Sequence, residues 1–240
     1  MTDAELILVS SGEASRRRAS RPRRAAPAAP EGLWHYEALG RERGRAVIAG
    51  LDEAGRGPLA GPVVAACVVL PDTFLLEGVD DSKKLTEKQR EDAYERIRKE
   101  AVAVGVGMAD HAEIDTVNIL RASWIAMRRA VADLWPACLP DLLLVDGLPV
   151  PDLPCAEVLP IVGGDGASAS IAAASIVAKV VRDAMMRDFD MRYPGYGFAR
   201  HKGYGSAVHR EALSRLGPCP IHRRSFAPVA ACLSSLFDER

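Results

Sequence analysis

Residues 48–63 read Ile48-Ala-Gly-Leu-Asp52-Glu53-Ala-Gly55-Arg56-Gly57-Pro-Leu-Ala-Gly-Pro-Val63, and this stretch decides the architecture. An apolar run, Val47–Asp52, stops at two adjacent carboxylates. A Gly-Arg-Gly turn follows, and a second apolar run, Val63–Leu70, begins at once. Both runs have the length and residue types of buried strands, so the segment reads as two strands joined by a glycine-rich turn. Acids at a strand end can hold a hard cation, and an arginine between glycines lets backbone and guanidinium approach a phosphate together. The turn therefore carries parts of a metal-assisted phosphodiester site.

Working outward, the chain alternates strands and helices. Thr86–Glu100 is rich in helix formers, with Thr86 placed three before Gln89 as a capping box. Ala101–Met108 alternates valine with small residues and reads as a third strand. Leu120, Trp124, Met127, Val131 and Leu134 recur at helical spacing within Asn118–Leu134. Leu142–Val145 and Glu157–Val162 read as short strands. Ala167 to Arg192 reads as a long helix whose alanine-rich start suits close packing on a sheet, and Ser206–Leu216 as a polar helix. The pattern is that of an α/β protein with helices flanking a sheet.

The chain has 240 residues, 48% of them hydrophobic and only 5% aromatic, so a sizeable core must be built from Ala, Val, Leu and Ile. The net charge of −1 hides an asymmetry. Residues 1–30 carry six arginines and three acids. Residues 31–178 carry 14 basic and 23 acidic residues, and residues 179–224 carry ten basic and four acidic. An acidic body beside a basic C-terminal segment fits a cation site next to a phosphate-binding surface, although solvated helix faces produce similar asymmetry. Basic residues between Lys179 and Arg224 are expected to contact phosphates.

Residues 10–32 are mostly Ser, Arg, Ala and Pro, too polar to fold alone, and residues 1–44 read as a mostly disordered basic tail. Its arginines resemble those of a transit peptide, but Asp3, Glu5 and Glu13 argue for a flexible tail with nonspecific affinity for nucleic acid. The five cysteines (67, 138, 155, 219 and 232) form no Cys-x-x-Cys pair, which favours a reducing compartment and a cytoplasmic location. The longest apolar stretch, near 58–71, is broken by Gly61 and three prolines, so no membrane span is expected.

Asp52 and Glu53 end one strand, Asp146 ends another, and Asp165 precedes the alanine-rich helix. Gathered at one sheet edge, these acids would repel unless cations neutralised them, and oxygen-only ligation selects Mg²⁺ or Mn²⁺. Singly, each has a plainer reading as a turn or helix cap. Asp183, beside Arg182 in mid-helix, reads as a member of a structural ion pair.

Six motifs in order resemble the bacterial ribonuclease HII family of the ribonuclease H-like superfamily. They are Ala49-Gly-Leu-Asp-Glu-Ala-Gly-Arg-Gly-Pro58, Asp81-Ser-Lys-Lys-Leu85, Leu144-Val-Asp-Gly147, Ala172-Ala-Ala-Ser-Ile-Val-Ala-Lys179 with Arg182-Asp183, His201-Lys-Gly-Tyr-Gly205 and Pro220-Ile-His-Arg-Arg-Ser-Phe226. The resemblance implies a catalytic domain over residues 45–240, with a mixed five-stranded sheet, flanking helices and a C-terminal helical part. It implies that Asp52, Glu53, Asp146 and Asp165 are catalytic and hold two divalent ions, Mn²⁺ or Mg²⁺. Gly55, Arg56 and Gly57 match the turn that recognises the 2′-hydroxyl, Tyr204 the tyrosine that stacks at a ribose–deoxyribose junction, and Lys83 and Lys84 a loop near the nucleic-acid backbone. The approach Gly163-Gly-Asp-Gly166 departs from the lysine or other polar residue that many members place there.

The implied partners are RNA–DNA hybrids and ribonucleotide-containing duplex DNA, cut 5′ of the ribonucleotide to leave 3′-hydroxyl and 5′-phosphate ends, in ribonucleotide removal and DNA repair. A monomer is expected. Two rival readings are weaker. A nucleotide-binding dehydrogenase needs a helix after the glycine turn, which Pro58 and Pro62 would disrupt. A catalytically silent nucleic-acid-binding module leaves four placed acids without a purpose.

Overall fold

The computed structural model describes residues 32–77, 85–135 and 138–238. Five strands form one mixed sheet in the order β3-β2-β1-β4-β5: β1 (Ile48–Ala54), β2 (Val63–Val69), β3 (Ala103–Ala109), β4 (Leu142–Asp146) and β5 (Glu157–Ile161). β2 runs antiparallel to β1 and β3, while β4 runs parallel to β1 and β5 parallel to β4. The glycine turn after β1 thus reverses the chain into a neighbouring strand, as the apolar–acid–glycine–apolar order implies.

Strand periodicity sorts the side chains between two faces. Val63, Ala65, Cys67 and Val69 of β2 join Ala49 and Leu51 of β1 on the face covered by α4 (Ile119–Asp133). Ala66 and Val68 face the other way, towards α2 (Glu87–Glu100) and α5 (Ala169–Arg192). β2 is buried along its whole length, which is why it reads as an unbroken apolar run.

On β1 the residues of the α5 face are Ile48, Gly50 and Asp52; on β4 they are Leu142, Leu144 and Asp146. Ile48, Leu142 and Leu144 pack there with Ile171 of α5. The two aspartates therefore emerge on the same face, one step beyond the paired residues Leu51 and Val145.

α5 lies unusually close to β1. A methyl group placed on Gly50 would sit 2.0 Å from the carbonyl carbon of Ser170, so only glycine fits beneath the helix start. Ala169, Ala172, Ala173 and Ala174 are fully buried around it. Ser168 caps the helix by accepting the Ile171 N–H at 3.2 Å.

The described body begins earlier than the expected boundary at residue 44. Helix α1 (His35–Glu42) is packed, with Glu37 buried against the start of α5. Its carboxylate accepts the Ser168 hydroxyl at 2.7 Å and the Ser170 N–H at 2.9 Å, where a helix N-terminus favours negative charge. The arginines at 41, 43 and 45 hid this helix in a segment read as tail. The rest of the expected tail, residues 1–31, lies outside the described residues.

The third strand starts at Ala103 rather than 101, and the sequence reading overlooked α3 (His111–Val117). That helix announces itself only by Asp110 and Glu113, which form a reciprocal capping box. Beyond the sheet, α6 (Phe198–His201), α7 (Ala207–Leu216) and α8 (Ala227–Asp238) gather at the C-terminal end of α5. Ala60, from the loop after β1, is buried among Met186, Tyr196, Phe198, Ala212 and Ile221.

Gly50→Ala is expected to destabilise the protein by about 3 kcal/mol, because helix backbone and not a flexible side chain must move. Gly166→Ala, where nothing lies within 4 Å of the added methyl, is expected to change stability by less than about 0.5 kcal/mol. Denaturant unfolding of the two variants checks the contrast.

Candidate active site

Asp52, Glu53 and Asp146 share one cleft of about 280 Å³ with Gly55, Arg56, Gly57 and Tyr204. Arg90, Ser175, Lys179 and Arg182 complete its walls. Asp52 is almost wholly buried, and its Oδ1 accepts the N–H of Glu53 at 2.7 Å. Burial pushes its carboxyl well above the ordinary range. The charges of Glu53 and then Asp146 add to the rise, against a hydrogen bond from Ser175. Burial raises Glu53 as well, opposed by Arg56, whose guanidinium lies 3.2 Å from its carboxylate. The charge of Asp146 thus acts on both Asp52 and Glu53.

Asp146 Oδ1 accepts the N–H of Gly164 at 2.7 Å. Gly164 opens the short 3-10 turn Gly164–Gly166, in which Asp165 is buried. Asp165 is thus next in sequence to the residue that holds Asp146, and it is not among the residues that line the cleft. Among the described residues, no three His, Cys, Asp or Glu side chains already stand close enough together to hold a metal ion. The carboxylates repel, and two have taken partners of their own: Arg56 for Glu53 and the Gly164 amide for Asp146. The donor set nonetheless suits a hard divalent cation, since it is all oxygen and its mutual repulsion is what such a charge removes.

The Gly-Arg-Gly turn is held from below. Gly55 has φ +99°, and a methyl there would lie 2.0 Å from Arg182 Nε. Above Gly57 sits the half-exposed ring of Tyr204, 3.4 Å from where a β-carbon would be. The Tyr204 carbonyl is fixed by buried imidazoles. The Cys219 N–H donates to His222 Nδ1 at 3.0 Å, so His222 Nε2 donates to His209 Nε2 at 3.1 Å, and His209 Nδ1 donates to the Tyr204 carbonyl at 2.8 Å. Burial keeps both rings neutral, with His222 pushed down to about 4.

The basic C-terminal segment corrects one expectation. Arg182 and Arg223 are buried at 1% and 0% exposure, and their guanidinium groups are taken up by main-chain carbonyls. Arg182 donates to the carbonyls of Pro62, Lys202 and Ala60. Arg187 pairs with Glu87 and Glu91, and Lys202 with Glu87. Asp183 is in an ion pair, as its mid-helix position suggests, but with Lys179 at 2.6 Å rather than with its neighbour Arg182.

Ser175 and Arg90 join the cleft without having been expected there. Ser175 is found by stepping back one helical turn from Lys179; no local signal brings Arg90 of α2 to the cleft. Lys83 and Lys84 lie outside the described residues.

The family model described as Ribonuclease HII matches residues 49–229, which span the sheet, the cleft and the C-terminal helices. The chain belongs to the ribonuclease HII family. It is 58% identical over 198 residues to ribonuclease HII of Geobacter sulfurreducens, covering 82% of this chain and 89% of that one. Among solved structures it is similar to ribonuclease H2 of Pyrococcus horikoshii OT3, with TM-score 0.63, 27% identity, and coverage of 81% of this chain and all of the other. Bst-RNase HIII in complex with Mn²⁺ shares the fold, with TM-score 0.61 at 19% identity over 81% of this chain and 71% of that one. The ribonuclease HII family match makes the chain a type HII ribonuclease H, a nuclease of RNA–DNA hybrids. No described helix is long and apolar enough to cross a membrane.

Asp52→Asn removes a buried charge that its neighbours oppose, so its melting temperature in metal-free buffer is expected to exceed that of the parent, by about 2–4 °C per kcal/mol relieved. Added Mg²⁺ or Mn²⁺ should raise the parent's melting temperature and leave the variant's nearly unchanged. Calorimetric scans with and without the ions check both.

Proposed function

We propose that this ribonuclease cuts the phosphodiester on the 5′ side of a ribonucleotide, both in RNA–DNA hybrids and at single ribonucleotides embedded in duplex DNA. The observation that carries the reading is the meeting, in one cleft, of Asp52, Glu53 and Asp146 with the Gly55–Gly57 turn and Tyr204. In this reading Asp52, Glu53 and Asp146 hold two divalent ions, Mn²⁺ or Mg²⁺, and Asp165 completes the acid set. When bound, such ions lower the pKa of water and stabilise the leaving oxyanion.

The chain's own groups do the rest. Ser175 and the Glu53 N–H aim Asp52 and partly oppose the rise that burial imposes on its carboxyl. The Gly164 N–H orients Asp146. The glycine turn brings backbone to a ribose without side chains in the way, and the 2′-hydroxyl, both donor and acceptor, distinguishes RNA from DNA at that position. Tyr204 packs against the neighbouring deoxyribose and sets where the junction lies. Lys83 and Lys84, from the segment before α2, contact the nucleic-acid backbone. The five cysteines, none of them in a disulfide, support a cytoplasmic setting, and the enzyme acts there as a monomer in ribonucleotide removal.

The test uses three matched duplexes, with one ribonucleotide, a four-ribonucleotide block and an all-RNA strand, each with Mg²⁺, Mn²⁺ or chelator. The parent is expected to cut all three only with a divalent ion. Asp146→Asn should cut at least about 100-fold more slowly, as expected for loss of a group acting on transition-state charge. Tyr204→Ala should lose about tenfold more on the single ribonucleotide than on the all-RNA strand. Parent-like cutting by Asp146→Asn would remove that residue from the site, and parent-like cutting of the single ribonucleotide by Tyr204→Ala would remove the junction role.

A further inference from the structure

Arg223 is fully buried and makes no ion pair among the described residues. Its guanidinium is solvated by main chain instead. Nη2 donates to the carbonyls of Gly55 at 2.6 Å and Pro62 at 3.2 Å, Nη1 to that of Arg56 at 2.9 Å, and Nε to that of Gly61 at 2.9 Å. One side chain thus ties both ends of the loop between β1 and β2.

The main chain around Arg223 reinforces the tie. Its N–H donates to the Leu59 carbonyl at 2.9 Å, and the Gly61 N–H donates to Ile221 at 2.9 Å. The ring of Phe226 lies 5.1 Å from the guanidinium carbon.

A trans peptide points its carbonyl and the following N–H in opposite directions. Drawing the Gly55 and Arg56 carbonyls inward to Arg223 therefore turns the N–H groups of Arg56 and Gly57 outward, towards the cleft that both residues line. The turn presents donors to the cleft because its acceptors are held from behind.

We propose that Arg223 is a positioning residue for ribose recognition: by holding the carbonyls of Gly55 and Arg56 it aims the amides of the Gly-Arg-Gly turn at the 2′-hydroxyl, and so sets ribonucleotide preference without touching the substrate. The proposal rests on the reading of that turn as the ribose sensor. A planar fork is needed to reach four carbonyls around one point. A lysine ammonium keeps the charge but gathers its three donors on a single atom. Arg223→Lys therefore separates geometry from charge.

The experiment measures affinity by fluorescence anisotropy, with Mg²⁺ present, for two duplexes of one sequence, one all-deoxy and one with a single ribonucleotide. The reference chain carries Asp146→Asn, which the functional reading makes inactive. Arg223→Lys in that background is expected to lower the ribonucleotide-to-deoxy affinity ratio about tenfold, the equivalent of one lost hydrogen bond to the hydroxyl. Affinity for the all-deoxy duplex and the circular dichroism spectrum should be unchanged.

Phe226→Leu keeps the arginine but loosens its support. It should lower the ratio in the same direction by a smaller factor, and it decides the matter if Arg223→Lys does not fold. A ratio unchanged in the variants that fold overturns the proposal, as does an equal loss of affinity for both duplexes, which marks a merely structural role. A reference chain with no preference for the ribonucleotide, or one that still cuts it, counts instead against the functional reading.

Discussion

The cleft takes its geometry from the contact between Gly50 and the backbone of α5 at Ser170–Ile171. The absence of a side chain at residue 50 lets the helix backbone lie on the sheet. From that point, strand and helix periodicities run outward together. Two residues along β1 comes Asp52; about one turn along α5 comes Ser175, which donates to it. Further turns bring Lys179 and Arg182 to the cleft wall and Met186 to the loop after β1. A larger residue at 50 would disturb these relations as a set, because each is referenced to the same separation.

Held this way, the molecule gathers its acids in the cleft and buries two arginines beneath the turn. Acids crowd the sheet edge, where burial and mutual repulsion raise Asp52 and Glu53. A few ångströms below the turn, two arginines are buried among carbonyls instead of carboxylates. Burial pushes Arg182 down to about 10 and Arg223 to about 9, which leaves both charged at neutral pH. The arrangement draws the turn's carbonyls away from the cleft and leaves Asp52, Glu53 and Asp146 as the acids that face it. A cleft so built favours divalent cations, and beside them a phosphate diester.

Much of this was legible in the sequence for identifiable reasons. The β1–turn–β2 unit is legible because an apolar run ends abruptly in acids and resumes after glycine, and because β2, buried on both faces, has no polar interruption. Asp52, Glu53 and Asp146 follow from ending parallel neighbours. α1 and α3 are not legible because both are short polar helices with little apolar periodicity, α1 held by the buried hydrogen bonds of Glu37 and α3 by its exposed capping box. The expectation that basic residues from Lys179 to Arg224 contact phosphates does not extend to Arg182 and Arg223, because a guanidinium bound to main-chain carbonyls leaves no trace in residue types. Asp165 is adjacent in sequence to a residue that holds Asp146, and only the fold shows that it is buried and is not among the residues lining the cleft.

The account makes water, activated at the acid cluster, the nucleophile, and gives the 2′-hydroxyl the role of a recognised group. Mapping the ends produced from a duplex with one ribonucleotide tests that division directly. Cleavage on the 5′ side of the ribonucleotide, leaving a 3′-hydroxyl and a 5′-phosphate, is the predicted result. Cleavage on its 3′ side with a 2′,3′-cyclic phosphate would mean that the hydroxyl itself attacks, and would contradict the account.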